Sequence, residues 1–133
     1  MSHRTRIKVR FYELDPYDHV NHAAYIQYFE VARIELLDEV GMGIGPLLER
    51  GYQLVVSELQ VRYLASAGSG DELEVETEVA EIRRASSRWR QTMRRGGEVI
   101  AQQEIVVVAT NRDGRPVRLP EGMDAALARY VAG

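Results

Sequence analysis

The chain has 133 residues, 45% apolar and 28% charged, with a formal net charge of −3 and no cysteine. That length suits one domain, residues 1–133, around one core, and no stretch approaches the roughly 18–20 apolar residues of a membrane helix. The missing thiols exclude disulfides, thiolate catalysis and cysteine-ligated metals, the start "MSHRTRIKVRFYE" lacks the apolar centre of a signal peptide, and the negative balance gives nucleic acid no global attraction; a cytoplasmic setting is expected.

Residues 6–12 alternate, with Ile7, Val9 and Phe11 on one face and Arg6, Lys8 and Arg10 on the other, which predicts a half-buried strand. Pro16 then forces a loop. From about residue 22 to 40 the period becomes helical. Tyr25, Tyr28, Phe29, Ala32, Leu36 and Val40 share a face, while Gln27, Glu30, Arg33 and Asp38 fall on the other side. Val31, Ile34 and Leu37 widen the apolar surface, so the helix is expected to be covered on most sides. Asn21 or Asp18 is the expected N-cap, and Gly41 and Gly43 are stop signals.

The remainder reads as strands. Residues 52–63 are β-rich, with polar groups on both faces. "SAGSGD", 66–71, is a turn. Residues 72–79 alternate Leu73, Val75, Thr77 and Val79 against four glutamates. Residues 87–95 set Trp89, Gln91 and Met93 against Arg88, Arg90, Thr92 and Arg94, and Gly96-Gly97 predicts a hairpin into 98–109. Residues 121–131 suit a short terminal helix. One apolar helix and one mostly antiparallel sheet imply an α+β architecture with the sheet curled around the helix.

Eight residues, 15–22, crowd together Asp15, Asp18, His19, Asn21 and His22 at the mouth of that helix. A carboxylate there can act as general base or nucleophile, and a helix start offers unpaired N–H groups to a developing oxyanion. The bland alternative for Asp15 is an Asx-turn before Pro16, and for Asp18 and Asn21 a cap. His19 and His22 with the two aspartates resemble a metal cluster, but His19 precedes the regular helix, so no metal is expected. Glu58 interrupts the face carrying Leu54 and Val56. On the helix side it would be a buried carboxylate with a raised pKa, able to assist water activation; the alternative is a charge at a dimer rim. Ser57 beside it is a candidate pocket residue. Arg83, Arg84, Arg88, Arg90, Arg94 and Arg95 form a basic cluster, with Ser86 and Ser87 in its loop. Arginine forks suit phosphate, and such a cluster also suits an acidic partner. The alternative is a solvated face that balances the glutamates of the neighbouring strand. No aromatic platform for nucleic acid accompanies it.

The stretch "DPYDHVNHAAYIQYFEVAR" resembles the segment that opens the helix in hotdog-fold acyl-CoA thioesterases of the 4-hydroxybenzoyl-CoA thioesterase family. "GDELEV", 70–75, and "GRPVRLP", 114–120, are similar to that family's turn into its third strand and to its C-terminal signature. The resemblance implies a hotdog fold, a five-stranded antiparallel sheet wrapped around a long central helix. It implies hydrolysis of acyl-CoA or acyl-carrier-protein thioesters without metal or cofactor, in homodimers or tetramers with active sites at the dimer interface. It also implies that Asp15 is catalytic and that the backbone at His22 faces the thioester carbonyl, with Asn21 and Tyr25 close to substrate. Many relatives carry tyrosine four residues before the aspartate; here Phe11 stands there, beside Tyr12. The alternatives are a hydroxyacyl-thioester dehydratase on the same fold, using Asp15 and His22 to move protons, and a non-catalytic acyl-thioester binder.

Overall fold

The structure is a computed structural model that describes residues 1–132. Five strands form one antiparallel sheet: β1 (His3–Lys8), β2 (Gln53–Tyr63), β3 (Glu72–Ile82), β4 (Ser86–Arg95) and β5 (Glu98–Thr110), in the spatial order β1-β3-β4-β5-β2. β3, β4 and β5 form a meander joined by short turns. β1 and β2 are the two edges, and the chain between them carries α1 (His22–Glu39) and α2 (Ile44–Glu49). A connection from one edge to the other must cross the sheet, and α1 makes that crossing. A short α3 (Met123–Leu127) and a 3₁₀ turn (Ala128–Tyr130) close the described chain.

Burial follows the alternation of the strands. Leu73, Val75, Thr77 and Val79 of β3, and Trp89, Gln91 and Met93 of β4, all face α1 and are buried. α1 returns Ala24, Tyr25, Tyr28, Phe29, Ala32, Leu36 and Leu37 to the same interface. The apolar side chains divide into two clusters. One surrounds Tyr25, Phe29, Val75 and Met93; the other surrounds Leu36, Val79, Trp89 and Ile105. Between them a polar row crosses the sheet, with Thr77 opposite Gln91 and Gln91 opposite Gln103.

Several expectations need correction. The first strand ends at Lys8 rather than continuing to residue 12. Phe11–Glu13 instead form a 3₁₀ turn, in which the Glu13 carboxylate accepts the Arg10 N–H at 2.8 Å. Phe11 is therefore 77% exposed rather than aligned with Ile7 and Val9. Helical spacing places Arg33 on the outer helix face, but it is buried, because its guanidinium donates to Gln91 Oε1 at 3.0 Å. The helix is not enclosed on most sides in the single chain: Gln27, Glu30, Val31, Glu35 and Asp38 are exposed. α2 was not anticipated; Gly41 and Gly43 read as stops, yet Gly43 is the N-cap of a second helix. Pro46 sits in its first turn, where a missing N–H leaves no hydrogen bond unmade.

Glu58 carries the largest correction. β2 has a bulge at Ser57: Val56 faces Val107, but the next paired residue, Glu58, faces Val106. The additional residue reverses the alternation. Leu54 and Val56 point toward the helix side, Glu58 points outward, and Leu59, Val61 and Tyr63 return to the helix side. Glu58 is exposed, not a buried carboxylate beside the helix.

Candidate active site

The loop that precedes α1 is a small closed structure. Leu14 bridges Val20, Asp15 N–H donates to the His19 carbonyl at 2.6 Å, and Asn21 N–H donates to the Glu13 carbonyl at 2.8 Å. The reversal needs one left-handed residue, supplied by Asp18 at φ 61°, and aspartate tolerates that region better than most side chains. Val20 N–H donates to the Ala67 carbonyl at 2.8 Å and so ties the loop to the turn before β3.

Within this loop Asp15 Oδ1 accepts the N–H groups of Tyr17 at 2.8 Å and His19 at 3.1 Å. The Asx-turn expected as the bland alternative is therefore present. It also fixes the carboxylate in one orientation, with Oδ2 taking no hydrogen bond from any described residue. At the helix start Asn21 is the cap: its Oδ1 accepts Ala23 N–H at 2.9 Å and its carbonyl accepts Ala24 N–H at 2.8 Å. Asp18 does not cap. The His22 N–H has no acceptor among the described residues.

Asp15 and His22 open into one pocket of about 320 Å³, together with His19, Val20, Tyr25, Tyr63, Leu64, Ala65 and Ser66. Tyr63 ends β2, and its hydroxyl donates to the His22 carbonyl at 2.8 Å, fastening the sheet edge to the helix start. Burial, then the neighbouring Tyr25, raises the Tyr63 phenol pKa above its ordinary value, so Tyr63 stays a donor. The Tyr25 hydroxyl accepts Ala67 N–H at 3.0 Å, and its ring meets Tyr63 edge-on at 5.3 Å. Behind the pocket Tyr28 donates to Glu13 at 2.8 Å. Burial and then this bond hold its pKa well above the usual tyrosine value.

The other sequence candidates lie elsewhere. Glu58, Arg83, Ser86 and Arg88 line a separate cleft of about 220 Å³ with Glu81 and Val106. Arg83 and Arg84 border a larger cleft of about 530 Å³ with Arg118, Leu119 and Glu121. Ser57 sits at the bulge and contacts the Val106 carbonyl at 3.4 Å. Most of the arginines are paired. Glu81 holds Arg83 at 2.8 Å and Arg88 at 3.3 Å, Arg90 meets Glu78 at 3.0 Å, and Arg94 meets Glu76 at 2.8 Å. Arg84 and Arg118 have no carboxylate partner among the described residues. β3 spans 11 residues, roughly 33 Å at about 3.3 Å per step. The Asp15 pocket lies at its Glu72 end and Arg83 and Arg84 follow its Ile82 end.

The sequence reading does not anticipate Tyr63, Leu64 and Ser66 as pocket residues or Arg118 as a second arginine on the cleft that Arg84 borders. Tyr63 was legible only as the last residue of a strand; its contact with His22 spans 41 positions. Among the described residues no group of acidic, histidine or cysteine side chains is arranged to hold a metal, and no helix is long and apolar enough to cross a membrane.

Residues 9–127 match the pattern of the thioesterase-like superfamily. The chain is 30% identical over 122 residues to the acyl-CoA thioesterase YbgC of Haemophilus influenzae, covering 90% of each chain. It is 28% identical over 131 residues to the chloroplastic acyl-acyl carrier protein thioesterase ATL3 of Arabidopsis thaliana, covering 97% of this chain and 69% of that one. Among solved structures, the dynemicin thioesterase, described in complex with a polyene, superposes with a TM-score of 0.92 at 24% identity, covering 100% of this chain and 99% of that one.

Proposed function

Because the chain belongs to the thioesterase-like superfamily and hydrolyses acyl thioesters, we propose that Asp15 and the start of α1 are its catalytic machinery, acting on acyl-CoA or on an acyl carrier protein. The observation that carries this reading is one pocket containing a carboxylate with an unengaged oxygen and a helix-start N–H without an acceptor. Asp15 Oδ2 takes a proton from water as the water oxygen attacks the thioester carbon, or itself attacks as nucleophile. The oxygen of the tetrahedral intermediate gains the His22 N–H and the positive end of the α1 dipole. On the general-base route collapse breaks the C–S bond, and the thiolate leaves as thiol with the proton held by Asp15; on the nucleophile route collapse leaves an acyl anhydride on Asp15, which water hydrolyses to the free acid, restoring the Asp15 carboxylate and supplying the thiolate's proton. His22 acts through its backbone, Asn21 by setting the first turn, and Tyr25 and Tyr63 by forming the walls. Neither metal nor cofactor takes part.

The acyl group lies on the inner face of β2. Leu59 and Tyr63 point toward the helix side yet are 44% and 45% exposed, so α1 leaves this strip uncovered. The strip runs from the pocket at Tyr63 past Val61 and Leu59 to Val56, where a groove between α1 and β2 is lined by Arg33, Ile34, Leu37, Leu54 and Val107. An 11-residue edge strand with exposed Val55, Val56, Leu59 and Tyr63, followed by exposed Leu64, invites a second copy, so the working form is a homodimer or a pair of dimers. In that assembly the sheets wrap their helices in the hotdog arrangement. CoA's pantetheine arm is shorter than β3, so Arg83, Arg84, Ser86 and Arg88 serve the partner's pocket. Glu58 lies on the rim near them. A cytoplasmic setting accords with the cysteine-free chain.

A thiol-release assay across acyl-CoA and acyl-carrier-protein substrates, with Asp15→Asn beside the parent, tests this reading. Asp15→Asn is expected to remain folded, to bind substrate and to lose turnover. Near-parental turnover in folded Asp15→Asn would overturn the assignment.

A further inference from the structure

After Val9, whose N–H donates to the Asp71 carbonyl at 2.9 Å, the chain leaves the sheet on its way to Asp15, and little apolar packing holds it there. Phe11 and Tyr12 are exposed, and between Val9 and Asp15 only Leu14 packs against the core. One polar side chain fixes the segment instead. Glu13 Oε1 accepts both the Arg10 N–H and the Tyr28 hydroxyl, each at 2.8 Å, while Oε2 meets the Arg10 guanidinium at 3.4 Å. The carbonyl of the same residue accepts Asn21 N–H at 2.8 Å. Glu13 therefore grips α1 at two points. One is the N-cap, and the other is Tyr28, rooted roughly 10 Å further along the helix axis. Tyr28 reaches back to the loop because side chains on a helix lean toward its N-terminus.

Tyr28 is the telling partner. It is buried on the face of α1 that packs Tyr25, Phe29 and Ala32 against the sheet, where phenylalanine would fill the same space with no hydroxyl to satisfy. Among the described residues that hydroxyl bonds only to Glu13. Glu13 itself does not line the Asp15 pocket, so its carboxylate does not meet the substrate there. What it can set is a distance. Asp15 follows Glu13 by two residues, and the His22 N–H follows the Asn21 cap by one, so both groups that the reaction needs depend on the points Glu13 joins. The bonds from Asp15 N–H to the His19 carbonyl and from Val20 N–H to the Ala67 carbonyl close the loop on itself and tie it to the turn before β3. The Glu13 carboxylate is what ties the segment ahead of Asp15 to the body of α1.

We propose that Glu13 is a positioning residue that, with Tyr28, sets the Asp15 carboxylate at its working distance from the oxyanion donor at His22. The proposal rests on the thioesterase reading, in which Asp15 does its chemistry at the start of α1. A reacting group misplaced by about 1 Å can lose up to about a hundredfold in rate, and the loss falls on kcat because the binding surfaces are unchanged.

The test measures kcat, KM and melting temperature for Glu13→Ala, Glu13→Gln and Tyr28→Phe, each in the parent and in Asp15→Asn. The substrate is whichever thioester the parent turns over fastest among acetyl-, hexanoyl-, palmitoyl- and benzoyl-CoA. Glu13→Ala is expected to lower kcat about tenfold and Tyr28→Phe about fivefold, with KM within about twofold of parental. Glu13→Gln keeps an oxygen for the Arg10 N–H and the Tyr28 hydroxyl and should stay within about twofold of the parent. In Asp15→Asn the same changes should cost less than about twofold, because no carboxylate is left to misplace. Parental kcat in folded Glu13→Ala and Tyr28→Phe overturns the proposal, as does an equal loss in both backgrounds, which marks a purely structural role. Glu13→Gln as slow as Glu13→Ala overturns it too, since charge rather than reach would then matter. Should Glu13→Ala not fold, Tyr28→Phe across the two backgrounds decides alone. An inactive Asp15→Asn beside fully active Glu13 and Tyr28 variants removes this proposal and leaves the thioesterase reading standing; an active Asp15→Asn, or a parent that hydrolyses nothing in the panel, removes both.

Discussion

The pocket at the start of α1 and the arginine-rich face of β3 and β4 both crowd ionisable side chains together, and they differ in what those side chains touch. On the strands, arginine meets glutamate directly or diagonally across the ladder, as in Arg90 with Glu78 and Arg94 with Glu76. Such pairs are solvated and contribute little individually. At the helix start, the loop's hydrogen bonds fix Asp15 through one oxygen only, and the cap engages the N–H groups of Ala23 and Ala24 while leaving that of His22. Charge density therefore does not separate the proposed site from a solvated face. The unsatisfied remainder does: a free carboxylate oxygen and a free N–H belong to two residues that line one pocket.

The sharpest way to break this contrast is to remove the free carboxylate. Asp15→Asn should lower kcat at least about a hundredfold, with acyl-CoA affinity and melting temperature near parental. His22→Ala should lose much less, because the N–H remains. Next comes the assembly that would bring the arginine face to the pocket. Leu59→Arg on the β2 edge should yield monomers in light scattering and reduce kcat/KM by about tenfold or more, with the fold retained by circular dichroism. An active monomer would count against a shared site.

The arginine face should answer in KM rather than in kcat. The double change Arg83→Ala and Arg84→Ala is expected to raise KM for acyl-CoA about tenfold and to affect a short thioester without the nucleotide much less. Mixing this double variant with Asp15→Asn should recover activity in hybrid dimers if arginine and aspartate work in trans. By contrast Arg90→Ala, already paired with Glu78, should alter KM by less than about twofold and stability by no more than about 0.5 kcal/mol.

The smallest effect concerns Tyr28, behind the pocket. Its pKa in the folded chain lies above the unfolded value of 10.0, from burial first and the Glu13 hydrogen bond second. Below that value the phenol is protonated in both states and its contribution to stability is complete. As pH rises past it, only the unfolded chain releases the proton, so stability falls. A melting-temperature series from pH 9 to 11.5 should decline less steeply in Tyr28→Phe than in the parent. Parallel slopes would show that Tyr28 does not contribute to the alkaline loss.

Much of the molecule is legible in the sequence. The alternation in 72–79 and 87–95, the helical period after residue 21, and the Gly96-Gly97 turn correspond to β3, β4, α1 and the β4–β5 hairpin within a few residues. These features are local, because the pleat and the helical turn repeat every two and every 3.6 residues and leave that period in the side chains. Asp15, Asn21 and His22 were legible for the same reason: capping and Asx-turns are made by near neighbours.

What escaped the sequence depends on single insertions and long contacts. One additional residue at Ser57 turned Glu58 from the helix side to the outside, and nothing in "LVVSELQ" marks the bulge, since either register places apolar residues on both faces. Arg33 belongs on the outer face by helical spacing, but Gln91, 58 positions away, accepts its hydrogen bond inside the core. Tyr63 joined the pocket because the β2 edge passes the start of α1. Gln103 Oε1, the buried side-chain polar atom without a partner among the described residues, is set by Phe29, Gln91 and Gln103 meeting from three elements. Local periodicity determines which elements form and which face each residue takes within them. Tertiary structure decides which polar atoms are satisfied, because a hydrogen bond depends on distance in space and carries no trace of separation along the chain.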